Sequence, residues 1–153
     1  MALQLTSPAF EPGGIIPQMH TCDGADFTPA LKWDAPPPGT RSYCLIMDDP
    51  DAPGRTWVHW VLYNLPAELR ALPEGLPKDK EFADGTRQGR NDFARIGYGG
   101  PCPPRGPAHR YFFKLYALDV RLDQPPGASK ADIEKAMEKH ILAQGQLMGR
   151  YQR

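Results

Sequence analysis

Charge imbalance is the first thing this sequence lacks. Its 153 residues carry 18 basic and 18 acidic side chains, a formal net charge of zero, with no Lys/Arg-rich block. That excludes the electrostatic footprint of a nucleic-acid binder and a polybasic membrane patch. The longest apolar runs fall far short of the ~20 residues a membrane span requires. The opening MALQLTSPAFEPGG has no cationic, apolar and small-residue succession of a secretory signal, so a cytoplasmic location is expected. Cysteine is scarce: Cys22, Cys44 and Cys102 are odd in number and show no CxxC spacing, which predicts ordinary reduced thiols rather than a disulfide framework or structural zinc. Internal repeats and composition breaks are missing too, and the length suits one domain over 1–153. No GxSxG, HExxH or P-loop is present to name an enzyme class.

What the chain has in quantity is turn chemistry. Eighteen prolines and fifteen glycines are spread throughout, the pattern of many tight turns between short elements, and so of a β-rich domain. Short strands are expected around Leu3–Thr6 and Ala30–Trp33, and a buried strand over Arg41–Met47, which ends in Asp48-Asp49-Pro50. Thr56–Asn64 carries three aromatics and two valines. Simple alternation puts Trp57, His59, Val61 and Tyr63 on one face, with Val58, Trp60 and Leu62 on the other. Pro66–Ala71 reads as one helical turn, and 77–92 as polar and irregular. A second strong strand, His109–Asp119, follows the Gly/Pro loop Gly97–Pro107 and gathers His109, Tyr111, Phe113 and Leu115 on one face. One helix is expected over Lys130–Ala143, capped by Ser129 with Asp132 and stopped at Gly145. Gln146–Tyr151 closes the chain as a short strand. The fold class is mainly β (α+β), most simply an antiparallel sandwich with one late helix.

Chemistry concentrates in the turn Asp49-Pro50-Asp51, at His59, in the loop Gly99-Gly100-Pro101, and in His109-Arg110-Tyr111. Taken singly, each is an ordinary turn, core histidine or connection, and His20 and His140 stay at that reading. Together they place two carboxylates and two imidazoles at strand ends and in loops, where sites are built. Three chemistries fit. Carboxylate-oriented imidazoles, a Tyr hydroxyl and backbone N–H groups can hold phosphate oxygens. Two His and two Asp can also ligate zinc. A carboxylate pair with a histidine can do hydrolytic acid–base work. Spacing does not choose among them.

The segments DPDAP (Asp49–Pro53), WVHW (Trp57–Trp60) and GYGGPCPP…HRYFFKLYALD (Gly97–Asp119) resemble the signatures of the phosphatidylethanolamine-binding protein family. FEPGGIIPQMHTCDG (Phe10–Gly24) and ILAQGQLMGRY (Ile141–Tyr151) are similar to its bacterial Raf-kinase-inhibitor-like branch, the YbhB/YbcL-like proteins. The resemblance implies an antiparallel β-sandwich-like fold with peripheral short helices and a small pocket at one end. Its lining would be Asp49, Asp51, Trp57, His59, Gly100, Pro101, His109 and Tyr111. The implied ligand is a phosphate-like anion: a phosphorylated small molecule, a phospholipid head group or a phosphorylated side chain. The resemblance further implies no catalytic residue, no cofactor and no metal. The alternative readings are a protein-interaction role, with a kinase or peptidase inhibited through the proline-rich loop, and weak hydrolysis by the Asp/His pocket; a homodimer is also expected from the resemblance. The loop Pro101–Pro107 is proline-heavy, so access to the pocket is expected to differ from that in eukaryotic members.

Overall fold

The computed structural model describes residues 2–153. In chain order the elements are β1 (Leu5–Thr6), a 3-10 turn (Gln18–His20), β2 (Leu31–Trp33), β3 (Ser42–Asp49), β4 (Trp57–Pro66), β5 (Ala71–Leu72), β6 (Arg87–Gln88), β7 (His109–Leu118), α1 (Lys130–Met137) and β8 (Ile141–Tyr151). The apolar run β3 and the aromatic-rich β4 and β7 lie at the centre of a five-stranded sheet of order β6-β4-β3-β7-β8. A small sheet, β1-β2-β5, packs over one face. All pairings between strands are antiparallel, as the mainly-β reading expected.

The larger core lies between the sheets, where Leu31, Trp33 and Leu72 meet Tyr43, Leu45, Met47, Trp60, Phe113 and Leu115. The opposite face of the large sheet buries Cys44, Ile46, Val61 and Tyr63 under Leu122, Ala128 and the α1 residues Ile133 and Met137. Both faces of β3 are therefore covered, which explains its unbroken apolar run.

Several expectations are corrected. Simple alternation fails in β4 because Met47 pairs with Trp60 but Asp48 with Val58, which leaves His59 as an extra residue in a β-bulge. Val58 consequently joins Val61 and Tyr63 on the outer face, while His59 faces the same side as Tyr111. A second irregularity between Tyr43 and Leu45 is absorbed near Asn64, whose φ of 60° is left-handed. The helix begins with the expected reciprocal cap, Asp132 N–H donating to Ser129 Oγ at 3.1 Å and Ser129 N–H to Asp132 Oδ2 at 3.3 Å. It ends at Met137, not Ala143, because 138–140 form a turn, with Lys139 at φ 68°, and β8 starts at Ile141 in a ten-pair ladder with β7. Gly145 lies inside that strand rather than stopping a helix. A Cβ there would meet Leu3 O at 2.3 Å, so glycine is what admits the N-terminal segment. Pro66–Ala71 is a reverse turn closed by Leu69 N–H to Pro66 O at 3.1 Å, leading into β5 rather than a helical turn.

The expectation of three free thiols is overturned as well. Cys22 and Cys102, 80 residues apart, form a disulfide, and Cys44 alone is free, buried in the outer core. Burial pushes the Cys44 thiol up to about 12.

Candidate functional site

Alternation at the end of β3 sends the two aspartates to opposite faces. Asp48 is buried on the outer face, 2.8 Å from Lys130 Nζ and 3.4 Å from Lys114 Nζ. Asp49 turns inward, only 3% exposed. Its Oδ2 lies 2.7 Å from His109 Nδ1, and its Oδ1 accepts the Asp51 N–H at 2.7 Å. A carboxylate facing Nδ1 makes that nitrogen the donor, so in the neutral ring Nε2 carries the lone pair.

Asp51 does different work. It accepts from Arg110 N, Nε and Nη2, each at 2.9 Å, and these bonds hold its carboxyl down to about 2. It fastens the Asp49–Asp51 turn to β7 and touches neither histidine ring.

His59, 2% exposed, is fixed by a reciprocal pair: its Nδ1 donates to Gly99 O at 2.6 Å, and Gly99 N–H donates to His59 O at 3.0 Å. A carbonyl only accepts, so this tautomer is determined. Burial moves the His59 pKa below 6.5, outweighing the Gly99 carbonyl and the Asp49 charge, which act upward. Among the described residues, neither ring finds a hydrogen-bond partner for Nε2. The rings flank Tyr111, with centroids 5.2 Å (His59) and 6.4 Å (His109) from it.

The loop that holds His59 is itself clamped by the 3-10 turn and the segment after it. Tyr98 Oη donates to His20 O at 2.7 Å, Gly100 N–H to Asp26 Oδ1 at 2.9 Å, and Cys22 N–H to Pro101 O at 3.1 Å. Glycine is required at position 100, where a Cβ would meet Asp26 Oδ1 and His20 O at 2.3 Å.

These elements enclose a cavity of about 190 Å3 lined by Asp49, Ala52, Pro53, Trp57, His59, Phe93, Cys102, Pro103, Pro104, His109 and Tyr111. Five of the eight residues expected from the sequence share this wall. Asp51, Gly100 and Pro101 stand behind it as supports. Phe93 was not foreseen. It lies in a polar stretch with no motif, yet its ring packs edge-on against Trp57 at 5.5 Å and His59 at 5.4 Å. Two wall residues, Tyr111 and Trp57, bury Oη and Nε1 with no partner among the described residues. Burial, reinforced by Asp49 and Asp51, pushes the Tyr111 hydroxyl pKa upward, so it remains a proton donor. Among the described residues, no three His, Cys, Asp or Glu side chains gather in an array suited to a metal ion, and no helix is long and apolar enough to cross a membrane.

With fold and pocket in view, comparison with known proteins places the chain. It belongs to the phosphatidylethanolamine-binding protein family, whose model matches residues 6–152. It is 52% identical over 153 residues to a UPF0098 protein of Aquifex aeolicus, covering 99% of this chain and 89% of that one. A UPF0098 protein of Methanothermobacter thermautotrophicus is 49% identical over 151 residues, with 99% of each chain covered. Among solved structures, the Escherichia coli YbcL protein, a member of the same family, superposes with a TM-score of 0.91 at 32% identity, covering 100% of this chain and 99% of its own. A phosphatidylethanolamine-binding protein homologue from Chlamydia trachomatis gives a TM-score of 0.90 at 39% identity over 99% and 98% of the two chains.

Proposed function

We propose that this protein is a non-enzymatic binding protein whose cavity captures one small phosphate-like anion, free or carried by a larger molecule. The observation that carries the reading is the pairing of two buried donors without protein partners, Tyr111 Oη and Trp57 Nε1, with two imidazoles anchored through Nδ1 on the same wall. Buried polar groups are ordinarily satisfied, so unpartnered donors grouped on a cavity wall call for an acceptor.

Charge decides how that acceptor enters. With both rings neutral, Asp49 leaves the wall negative, which repels a dianion. A phosphate bearing a proton removes the conflict, because its O–H donates to Nε2 or passes its proton there. The resulting imidazolium then gives a charge-assisted bond to the anion. Affinity is expected to rise as pH falls. Because burial lowers the His59 pKa below 6.5, the rise continues below that value.

Binding is favoured over hydrolysis by the commitments of the carboxylates. Both Asp49 oxygens and both Asp51 oxygens already accept hydrogen bonds, which disfavours either carboxylate as a nucleophile. The family name adds support for a phosphoethanolamine-type head group as one source of the anion.

The test is a two-dimensional NMR titration with inorganic phosphate, phosphoethanolamine and phosphoserine, repeated on His59→Ala. Saturable shifts at Asp49, His59, His109 and Tyr111, lost in the variant, are expected. A folded protein with no saturable shift from any of the three would overturn the reading.

A further inference from the structure

The disulfide is placed where it can act on the pocket. Cys102 lines the 190 Å3 cavity and also a second cleft of about 330 Å3, whose walls include Cys22, Asp26 and Gly100. The Cys22–Cys102 bridge thus stands in the partition between the two spaces. It is the covalent member of the clamp that otherwise consists of Tyr98 to His20, Gly100 to Asp26, and Cys22 to Pro101. That clamp holds Gly99, and Gly99 O fixes the His59 tautomer. Both cysteines are exposed, unlike Cys44, so an external thiolate can reach the bridge.

We infer that the Cys22–Cys102 disulfide is a thiol–disulfide exchange site built into the cavity wall, through which dithiol reductants weaken anion binding. This inference rests on the anion reading of the cavity. Arg153 Nη1 lies 3.8 Å from Cys102 Sγ, and its positive charge favours thiolate on that sulfur. Cys102 is therefore the leaving group, and the reductant thiolate attacks Cys22 Sγ. The S–S bond breaks as a mixed disulfide forms at Cys22. The second reductant thiolate resolves it, releasing a cyclic disulfide and leaving Cys22 and Cys102 reduced by two electrons and two protons.

Two consequences follow for the cavity. The sulfurs separate to van der Waals contact, which shifts the wall formed by Cys102 and Pro103 and loosens the support of Gly99. Cys102 also gains thiolate character at the edge of an anion site, which opposes a phosphate ligand. The loss of pre-ordering alone corresponds to a weakening of roughly 2- to 10-fold, the cost of immobilising one side chain again on binding.

The experiment compares oxidised and dithiol-reduced protein in Cys44→Ser, a change outside the cavity that leaves two thiols to count. Phosphate affinity and the NMR signals of His59, Gly99, Gly100 and Tyr111 are read in both states, with Cys22→Ser/Cys102→Ser as the variant that dithiol cannot alter. The expected result is a folded reduced protein with those signals moved, phosphate bound several-fold more weakly, and full recovery on reoxidation. Equal affinity and unmoved signals in the two states would overturn the inference. So would global unfolding on reduction, which would make the bridge a structural staple. If oxidised protein binds no phosphate, the functional reading fails, and the signals of the four residues still decide whether reduction remodels the wall.

Discussion

Tyr111→Phe should leave the fold intact while damaging the pocket, and Tyr63→Phe should do the opposite. The two tyrosines lie fully buried on β4 and β7, the strands on either side of β3, but serve opposite faces of the large sheet. Tyr63 Oη donates to Pro125 O and accepts from Ala128 N–H at 3.3 Å, so its removal leaves a carbonyl and an amide without partners. That costs roughly 1–3 kcal/mol. Tyr111 Oη has no protein partner, so deleting it removes an unsatisfied group. Stability should stay within about 1 kcal/mol of wild type, on the favourable side. Hydrogen bonds to charged groups contribute about 1.5–3 kcal/mol, so phosphate affinity in Tyr111→Phe should fall roughly 10- to 150-fold. Urea unfolding midpoints and calorimetric phosphate titration of both variants measure the two effects. If Tyr111→Phe loses as much stability as Tyr63→Phe and binds phosphate unchanged, the assignment of its hydroxyl to the ligand is wrong.

Two further predictions concern the supports behind the wall. Asp51 titrates at about 2 when folded, below the 3.8 of a free aspartate, so its contribution is present above about pH 4 and disappears as pH falls through the folded value. Arg110 is half exposed, so solvent screening limits that contribution to roughly 1 kcal/mol or less, and Asp51→Asn should flatten the acid limb of stability against pH by that amount. Gly100→Ala introduces a Cβ 2.3 Å from Asp26 Oδ1 and His20 O, and should lower stability by roughly 1–3 kcal/mol in urea melts while weakening phosphate binding through displacement of Gly99.

The parts of this fold legible in the sequence are those governed by local pattern. The alternation of β7 set His109, Tyr111, Phe113 and Leu115 on one buried face, and Ser129 with Asp132 marked the start of α1. The misplaced features depend on pairing across the sheet. Nothing local in TWVHWVLYN announces the bulge at His59; it arises from register against Met47 and Asp48, and it alone brings His59 to the Tyr111 side. Residues 138–143 carry helical spacing, yet 138–140 turn the chain and pairing with β7 takes 141–143 into a strand. The disulfide was hidden by its separation of 80 residues and by a third, buried cysteine that made the count odd. Of the chemical residues, Asp51 is expected in the pocket lining by its place in the Asp49-Pro50-Asp51 turn, whereas the arginine beside His109 captures it.

The central claim is that His59 and His109, each tied through Nδ1, offer Nε2 to a phosphate-like anion. The direct measurement is 15N NMR of the histidine rings during phosphate addition near neutral pH. The account predicts that the Nε2 signals of both rings shift on phosphate addition with one common saturation curve, while Nδ1 of both rings stays protonated. Nε2 signals that do not move at saturating phosphate would contradict it.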